Sequence, residues 1–445
     1  MSDTDRDYDL VLWGATGFTG RLVAEHLADR YGDGALDWAL AGRDANRLAA
    51  VRDSVTDRID HGDADDADGD AMDGTTGDGD DNATVPDLLT GDAHDRASLD
   101  ALAERTAVVC STVGPYARHG SPLVAACVDA GTDYCDLSGE LQWIRRMVDE
   151  HHDRARERGV RVVHACGFDS VPGDLGTLLL QSHAAETFGA PCSAVRALVS
   201  VRGGGFSGGT LASMVETAAA ADRDRAVRRV LANPYALAPE GERGGPDTGP
   251  QRGVRRDPET REWTAPFVMA AINEPVVRRS NALLGYPWGR EFGYRESLAV
   301  GRGVGGAAVA GALAAGQGLA AGALDVPPIR RALDRFVLPD SGEGPDRDAV
   351  EGGSFEMRLF GRGASADHPA GYAVEATVAG DRDPGYGSTS RMVAEAAVCL
   401  ARGETDTPIE GGVSTPASGI GLPLVDRLEG AGVSFEVSAR EGAER

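Results

Sequence analysis

The run Gly14-Ala15-Thr16-Gly17-Phe18-Thr19-Gly20 constrains this chain more than any other feature. It follows directly on Tyr8-Asp9-Leu10-Val11-Leu12-Trp13, a short apolar run of strand type. It leads into Arg21 to Arg30, where Leu22, Val23 and Leu27 share one helical face. In such a strand–turn–helix unit each glycine has a task. Gly14 permits the tight turn, and Gly17 lets the backbone approach a diphosphate. The unpaired N–H groups of the helix start meet the diphosphate charge, and Gly20 lets helix and strand pack closely. A glycine triplet alone says little in a chain with 60 glycines. Its place in the first strand–turn–helix unit makes it a dinucleotide-binding signal, with Thr16, Phe18 and Thr19 presented on the same turn.

The alternation continues along the chain. A strand, Leu36 to Ala41, ends in Gly42-Arg43-Asp44, and a helix starts near Asn46. Leu88 to Asp92, Ala107 to Thr112, Tyr134 to Leu137 and Val160 to Ala165 read as further strands, with helices at Ser98 to Arg105, Ser121 to Ala130 and Leu141 to Arg158. This pattern predicts an α/β fold: a doubly wound parallel sheet of Rossmann type over residues 1–170. Residues 60–82, dominated by Asp and Gly, read as a flexible acidic insertion. Asp-x-Asp spacing occurs there without the Glu that closes an EF-hand loop, so no metal site is expected. Past Pro172 the pattern changes. Strand-like runs at Val195 to Val201, Phe267 to Ile272, Phe355 to Leu359 and Tyr372 to Val378, and a helix from Thr210, predict a second, α+β domain over 171–389. Helices at Ser390 to Ala401 and Pro423 to Ala431 are expected to return the segment 390–445 to the first domain. Gly303 to Leu324 is uncharged and almost wholly Ala and Gly. As a helix it would span about 33 Å. It reads as a core or oligomer-packing segment, a possible homodimer contact, or as a membrane contact.

The second strand selects the dinucleotide. An NAD site puts Asp or Glu at that strand's end, for the ribose 2′-hydroxyl. Here Arg43 stands there, a planar fork suited to a 2′-phosphate, so NADP is the expected cofactor. Ligands lie at the carboxyl ends of parallel strands. Asp92 is therefore expected near the adenine, and Ser111, Thr112 and Gly114 near the nicotinamide ribose. Pro115 and Tyr116 would turn the chain away and form one wall.

Charge excludes other chemistry. Acidic residues number 70 against 44 basic ones, a net charge of −26, and every basic residue is arginine. Without lysine there is no Schiff base, pyridoxal-phosphate anchor or P-loop lysine. A general nucleic-acid binder carries a net positive face, so nucleic acid is not an expected partner. The acidic surface suggests a cytoplasm very rich in salt. The six cysteines form no CxxC pair and read as reduced. Met1 to Asp7 is polar and shows no signal-peptide pattern, so the expected location is the cytoplasm, with the inner face of the membrane as a further place of action.

Four blocks carry a resemblance: the glycine turn, Ala41-Gly42-Arg43, Val113-Gly114-Pro115-Tyr116 and Gly167-Phe168-Asp169-Ser170-Val171-Pro172. With Ala265 to Asn273, Val276 to Asn281 and Gly385-Tyr386-Gly387, they resemble the saccharopine dehydrogenase-like oxidoreductases, and within them the trans-acting enoyl reductase branch. The resemblance implies a Rossmann domain, a substrate-bearing second domain, and NADPH-dependent reduction of a carbon–carbon double bond in an apolar or lipid-linked substrate. It also implies peripheral membrane contact. Such a reduction needs a donor beside the developing enolate. Tyr116, His119, Ser138 and His164, each near a strand end, are the candidate donors, with Glu140 and Asp169 as orienting or relay groups. Gly203-Gly204-Gly205 with Ser207 and Thr210 either hold a substrate anion or form a bend and helix cap. Arg278 and Arg279 either bind an anionic head group or lie on the surface.

Overall fold

The computed structural model describes residues 6–61, 85–203, 208–324, 326, 328 and 344–440. Strands β1 (Tyr8–Trp13), β2 (Trp38–Gly42), β3 (Asp87–Thr90), β4 (Thr106–Ser111), β5 (Asp133–Asp136) and β6 (Arg161–Val163) alternate with helices, as the apolar pattern predicts. They pair in parallel in the order β3-β2-β1-β4-β5-β6. The order reverses between β1 and β4, and a crevice opens at that switch point beyond the carboxyl ends of the strands. These strands are buried on both faces: Leu10, Val11 and Leu12 of β1 are wholly inaccessible.

The second sheet is mixed. It contains β7 (Ala194–Arg202), β8 (Arg255–Arg256), β9 (Trp263–Ala265), β10 (Gly293–Ala299), β11 (Ser354–Gly363), β12 (Tyr372–Gly380) and β14 (Val433–Ala439). Their order is β14-β12-β11-β7-β10-β9-β8, with β7 and β10 parallel and the other pairs antiparallel. Helix Val171–Phe188 packs on β11 and β12 and links the two sheets.

Residues 390–440 return to both domains. Helix Thr389–Ala401 lies against β1, β4 and β5 and is buried along its length except at Arg391 and Ala401. Burial of Met392, Val393 and Val398, all inaccessible, contributes about 1.5–3 kcal/mol each. Glu395 on this helix accepts hydrogen bonds from His26 Nε2 (2.8 Å) and Tyr31 Oη (2.7 Å) of helix Phe18–Tyr31. Burial alone would raise the Glu395 pKa. His26, Tyr31 and Arg30 outweigh it and hold the carboxylate below its usual range. Beyond this helix, β13 (Gly412–Ser414) extends the first sheet beside β6, while β14 closes the second.

Several expectations need correction. Phe267–Ile272 is not a strand: β9 stops at Ala265, and helix Ala270–Leu283 begins within the run. A short apolar stretch fits either period, and Met269, Ala270 and Ala271 favour helix. Asp60 and His61 belong to helix Ala45–His61, and the rest of the expected acidic insertion, 62–82, lies outside the described residues. Helix Gly303–Leu324 is formed, but it is not a core segment. Only Gly306 and Ala310 are buried, against β9, while Val304 is 88% and Leu319 77% exposed. It is the single helix among the described residues long and apolar enough to cross a membrane.

Candidate active site

The glycine turn is clamped between its neighbours. Gly14 N–H donates to Ala41 O (2.9 Å), Thr112 N–H donates to Trp13 O (3.0 Å), and Thr112 Oγ1 donates to Gly14 O (3.3 Å). Gly14 sits at φ +96°, a left-handed conformation, and a Cβ there would lie 2.6 Å from Val113 Cγ2. A Cβ on Gly20 would lie 2.2 Å from Gly14 O. At Gly17 the nearest atom would be Gly14 O at 3.3 Å, so its outer side is open. Gly17 starts the helix without a side-chain cap, which leaves the first-turn amides facing that open side. This cradle fits a dinucleotide diphosphate.

The adenosine end lies at the tips of β2 and β3. Arg43 is exposed and makes no hydrogen bond or ion pair with a described residue. Four residues on, Arg47 lines a cavity of about 180 Å³ with Thr16 and Arg21; nothing in the sequence reading singled it out. Asp92 is exposed, and its Oδ1 accepts from His94 N (2.8 Å). His119 packs edge-on against His94 (5.2 Å), on this rim. Burial first, then His94, Arg118 and Arg43, hold its pKa below the usual range.

A larger cavity, about 470 Å³, opens beyond the tips of β1, β4, β5 and β6. Thr19, Thr112 and Gly114 line its Rossmann end, and Ala321 and Leu324 of helix Gly303–Leu324 line its far end. Its walls are largely apolar, with Leu137, Met214, Val268, Met269 and Ile272 among them. Among the described lining residues Asp169 is the one with a formal charge, and there is no arginine.

The candidate donors divide at this cavity. Tyr116 lines it, but its hydroxyl donates to Ser111 O (2.9 Å) and accepts from Leu137 N (3.2 Å). Burial and the neighbouring Asp136 raise the Tyr116 pKa far above that of a free phenol. Pro115 begins the short helix that carries Tyr116. His119 is on the adenosine rim. Ser138 is buried, and its Oγ accepts from Glu140 N (3.3 Å). His164 is buried beneath Trp143, with Nδ1 on Asp136 Oδ2 (2.8 Å). Neither Ser138 nor His164 lines the cavity. The Ser111 side chain is likewise in the core, and the Phe18 ring packs edge-on against Tyr386 (4.7 Å).

Glu140 is committed too. It accepts from the amides of Tyr116 (2.7 Å) and Ala117 (2.9 Å) and from Ser213 Oγ (2.9 Å), fixing the turn after β4. Arg278 and Arg279 are neither on the surface nor beside the cavity. Arg278 binds Asp247 (2.8 Å), Glu274 (3.0 Å) and Tyr294 O (2.8 Å), and Arg279 binds the Leu237 and Val413 carbonyls. The buried helix Ala270–Leu283 uses both as cross-braces. Gly204, Gly205 and Ser207 lie outside the described residues; Gly203 has φ +67°, and Thr210 lines the cavity.

The comparisons with known proteins agree with this geometry. Residues 10–163 match the saccharopine dehydrogenase NADP binding domain family. A Mycobacterium tuberculosis protein, provisionally named a trans-acting enoyl reductase, is 41% identical over 98% of this chain and 99% of its own. A trans-acting enoyl reductase of Mycobacterium bovis is 37% identical over 97% of this chain and 98% of its own. Among solved structures, apo saccharopine dehydrogenase (L-Glu forming) of Saccharomyces cerevisiae superposes with a TM-score of 0.54 at 14% identity, covering 97% of this chain and 99% of that one. At that identity the likeness concerns the fold alone.

Proposed function

Because the chain belongs to the saccharopine dehydrogenase-like oxidoreductases, in their trans-acting enoyl reductase branch, and is an NAD(P)-dependent oxidoreductase with an NADP-binding domain, we propose that it uses NADPH to reduce a carbon–carbon double bond in an apolar or lipid-linked substrate. The observation that carries this reading is the cavity, which runs from Thr112 and Gly114 to Leu324 between apolar walls. An imine or carbonyl reductase of amino-acid-like substrates would call for a polar chamber with arginines at this place. A scaffold without turnover would call for a plugged one.

Bound NADPH supplies the hydride. The first-turn amides would hold the diphosphate, and Arg43, with Arg47, would take the 2′-phosphate. Thr112 and Gly114, which line the cavity after β4, would hold the nicotinamide end. Leu137, Met269 and Ile272 exclude water there, which strengthens each polar contact made to the reacting carbonyl. The exposed apolar helix Gly303–Leu324 rests on a lipid surface and delivers the substrate at Ala321 and Leu324. The acidic surface fits a salt-rich cytoplasm, so the assay belongs in molar salt.

The test offers NADPH with an α,β-unsaturated acyl thioester or with an aldehyde–amino acid pair. Loss of nicotinamide absorbance with the thioester, and a saturated product by mass spectrometry, is the expected result. Turnover with the imine-forming pair alone would overturn the reading.

A further inference from the structure

Adding hydride to one carbon of a polarised double bond leaves its neighbour electron-rich, and that carbon needs a proton. We infer that Asp169, in its carboxylic acid form, is the acid that supplies this proton from the wall of the cavity. The inference rests on the reduction proposed above.

Geometry carries the argument. Asp169 follows β6 in the loop that ends at helix Val171–Phe188, so it stands at a strand tip facing the switch point. It lines the cavity together with Thr112 and Gly114, the residues assigned above to the nicotinamide end. Its Oδ2 lies 3.5 Å from where a Cβ of Gly139 would be, so the absent side chain leaves room beside the carboxyl. Asp169 makes no hydrogen bond or ion pair with a described residue. The neighbouring acids differ in this respect. Glu140 is held by two amides and Ser213, and Asp136 by His164, Tyr134 and the Ser138 and Ala165 amides. Asp174 is held by Ser280 and Ala417 N, and Asp383 by Tyr386 N.

The electrostatics agree. Burial alone pushes the Asp169 carboxyl up to about 7, with no charged neighbour contributing. Tyr116, the other titratable group on the cavity wall, stays protonated and has its hydroxyl engaged on both sides. Near neutral pH a large share of Asp169 therefore carries its proton, and no competing acid on the cavity wall is free to give one.

The step balances. The two electrons arrive with the hydride at the β-carbon. The Asp169 O–H bond breaks as the α-carbon C–H bond forms, leaving a saturated acyl chain, oxidised NADP and the Asp169 carboxylate. Solvent at the cavity mouth then restores the acid.

The experiment uses full-length protein, wild type and Asp169→Asn, with NADPH and an enoyl thioester. Wild-type kcat should fall as pH rises through about 7. Asp169→Asn should lose roughly 10²–10⁴ in kcat and lack that limb, with NADPH affinity unchanged. Asp169→Glu should recover part of the rate. Folding provides a control of known sign. A carboxyl with a raised folded-state pKa stabilises below its unfolded value, and that contribution is lost as pH rises through the folded one. Asp169→Asn should thus melt higher than wild type at pH 8 and not at pH 4. A variant that keeps its rate and pH profile, or that loses NADPH binding, overturns the inference. If the wild type reduces no enoyl thioester, the reaction class fails separately, and infrared titration of the Asp169 carboxyl with NADPH bound decides this residue. Protonation near neutrality upholds the acid; an ordinary carboxylate range removes it.

Discussion

The cradle and the cavity meet at Thr112 and Gly114 but are built in opposite ways. The cradle is local: one seven-residue turn and the tips of β2 and β4, joined by backbone hydrogen bonds such as Gly14 N to Ala41 O. The cavity is assembled from distant pieces of chain, among them Leu137–Gly139, Gly167–Asp169, Thr210–Ala218, Val268–Ile272 and Ala321–Leu324. Diphosphate recognition needs a backbone shape, which spacing and glycine specify. Apolar substrate recognition needs only a volume with greasy walls, which many residue choices supply.

The largest effect should come from breaking the cradle. Gly20→Ala places a methyl 2.2 Å from the Gly14 carbonyl, a backbone atom already held by Thr112. Turn and helix must separate, at a cost of about 1–3 kcal/mol in stability. Calorimetry should then register no binding of NADPH or NADH, and thermal melting should drop. A variant that still binds either coenzyme normally would show that the turn is not the binding element.

The next effect is narrower. Arg43→Gln removes the exposed guanidinium at the β2 tip and leaves the glycine turn intact. Losing charge-assisted bonds to the 2′-phosphate should cost about 2 kcal/mol, roughly a thirtyfold weaker Kd for NADPH. NADH, without that phosphate, should bind as before. Equal losses for the two coenzymes would remove Arg43 from the selectivity role.

The same contrast explains what was legible in the sequence. The parallel sheet and the glycine turn follow from local periodicity and spacing, and helix Ser121–Ala130 falls on its predicted bounds; the order of the strands emerges only in the structure. The cavity and its acid were not so visible. His164 and Ser138 satisfy the strand-tip rule as well as Asp169 does. The difference lies in Asp136, which turns His164 inward, and in Trp143 above it, two residues that the sequence places far from β6. Arg278 and Arg279 look like an anion site until the carbonyls of Leu237 and Val413 and the carboxylates of Asp247 and Glu274 appear around them. Tertiary partners decide whether a polar side chain is structural, and spacing carries no trace of them. Helix Gly303–Leu324 is the converse case. Its composition suited a core segment, yet Val304, Val309 and Leu319 are exposed, and only Gly306 and Ala310 are buried.

That exposed helix gives the smallest effect on the isolated enzyme and the sharpest test of how the cavity is fed. Val304 and Leu319 touch little, at 88% and 77% exposure. Val304→Asp with Leu319→Asp should shift stability by no more than about 0.5 kcal/mol per site. Turnover of a short, water-soluble enoyl thioester should stay near wild type, because the walls at Leu137, Met269 and Ile272 are untouched. Sedimentation with neutral phospholipid vesicles should instead fall at least tenfold, since each apolar side chain lost from a lipid surface removes about 1.5–3 kcal/mol of transfer energy. Rates on vesicle-embedded substrate should fall with it. Unchanged vesicle binding would separate the helix from the membrane and turn attention to a second copy of the chain as its cover, which sedimentation velocity at molar salt would then show as a dimer that the double variant cannot form.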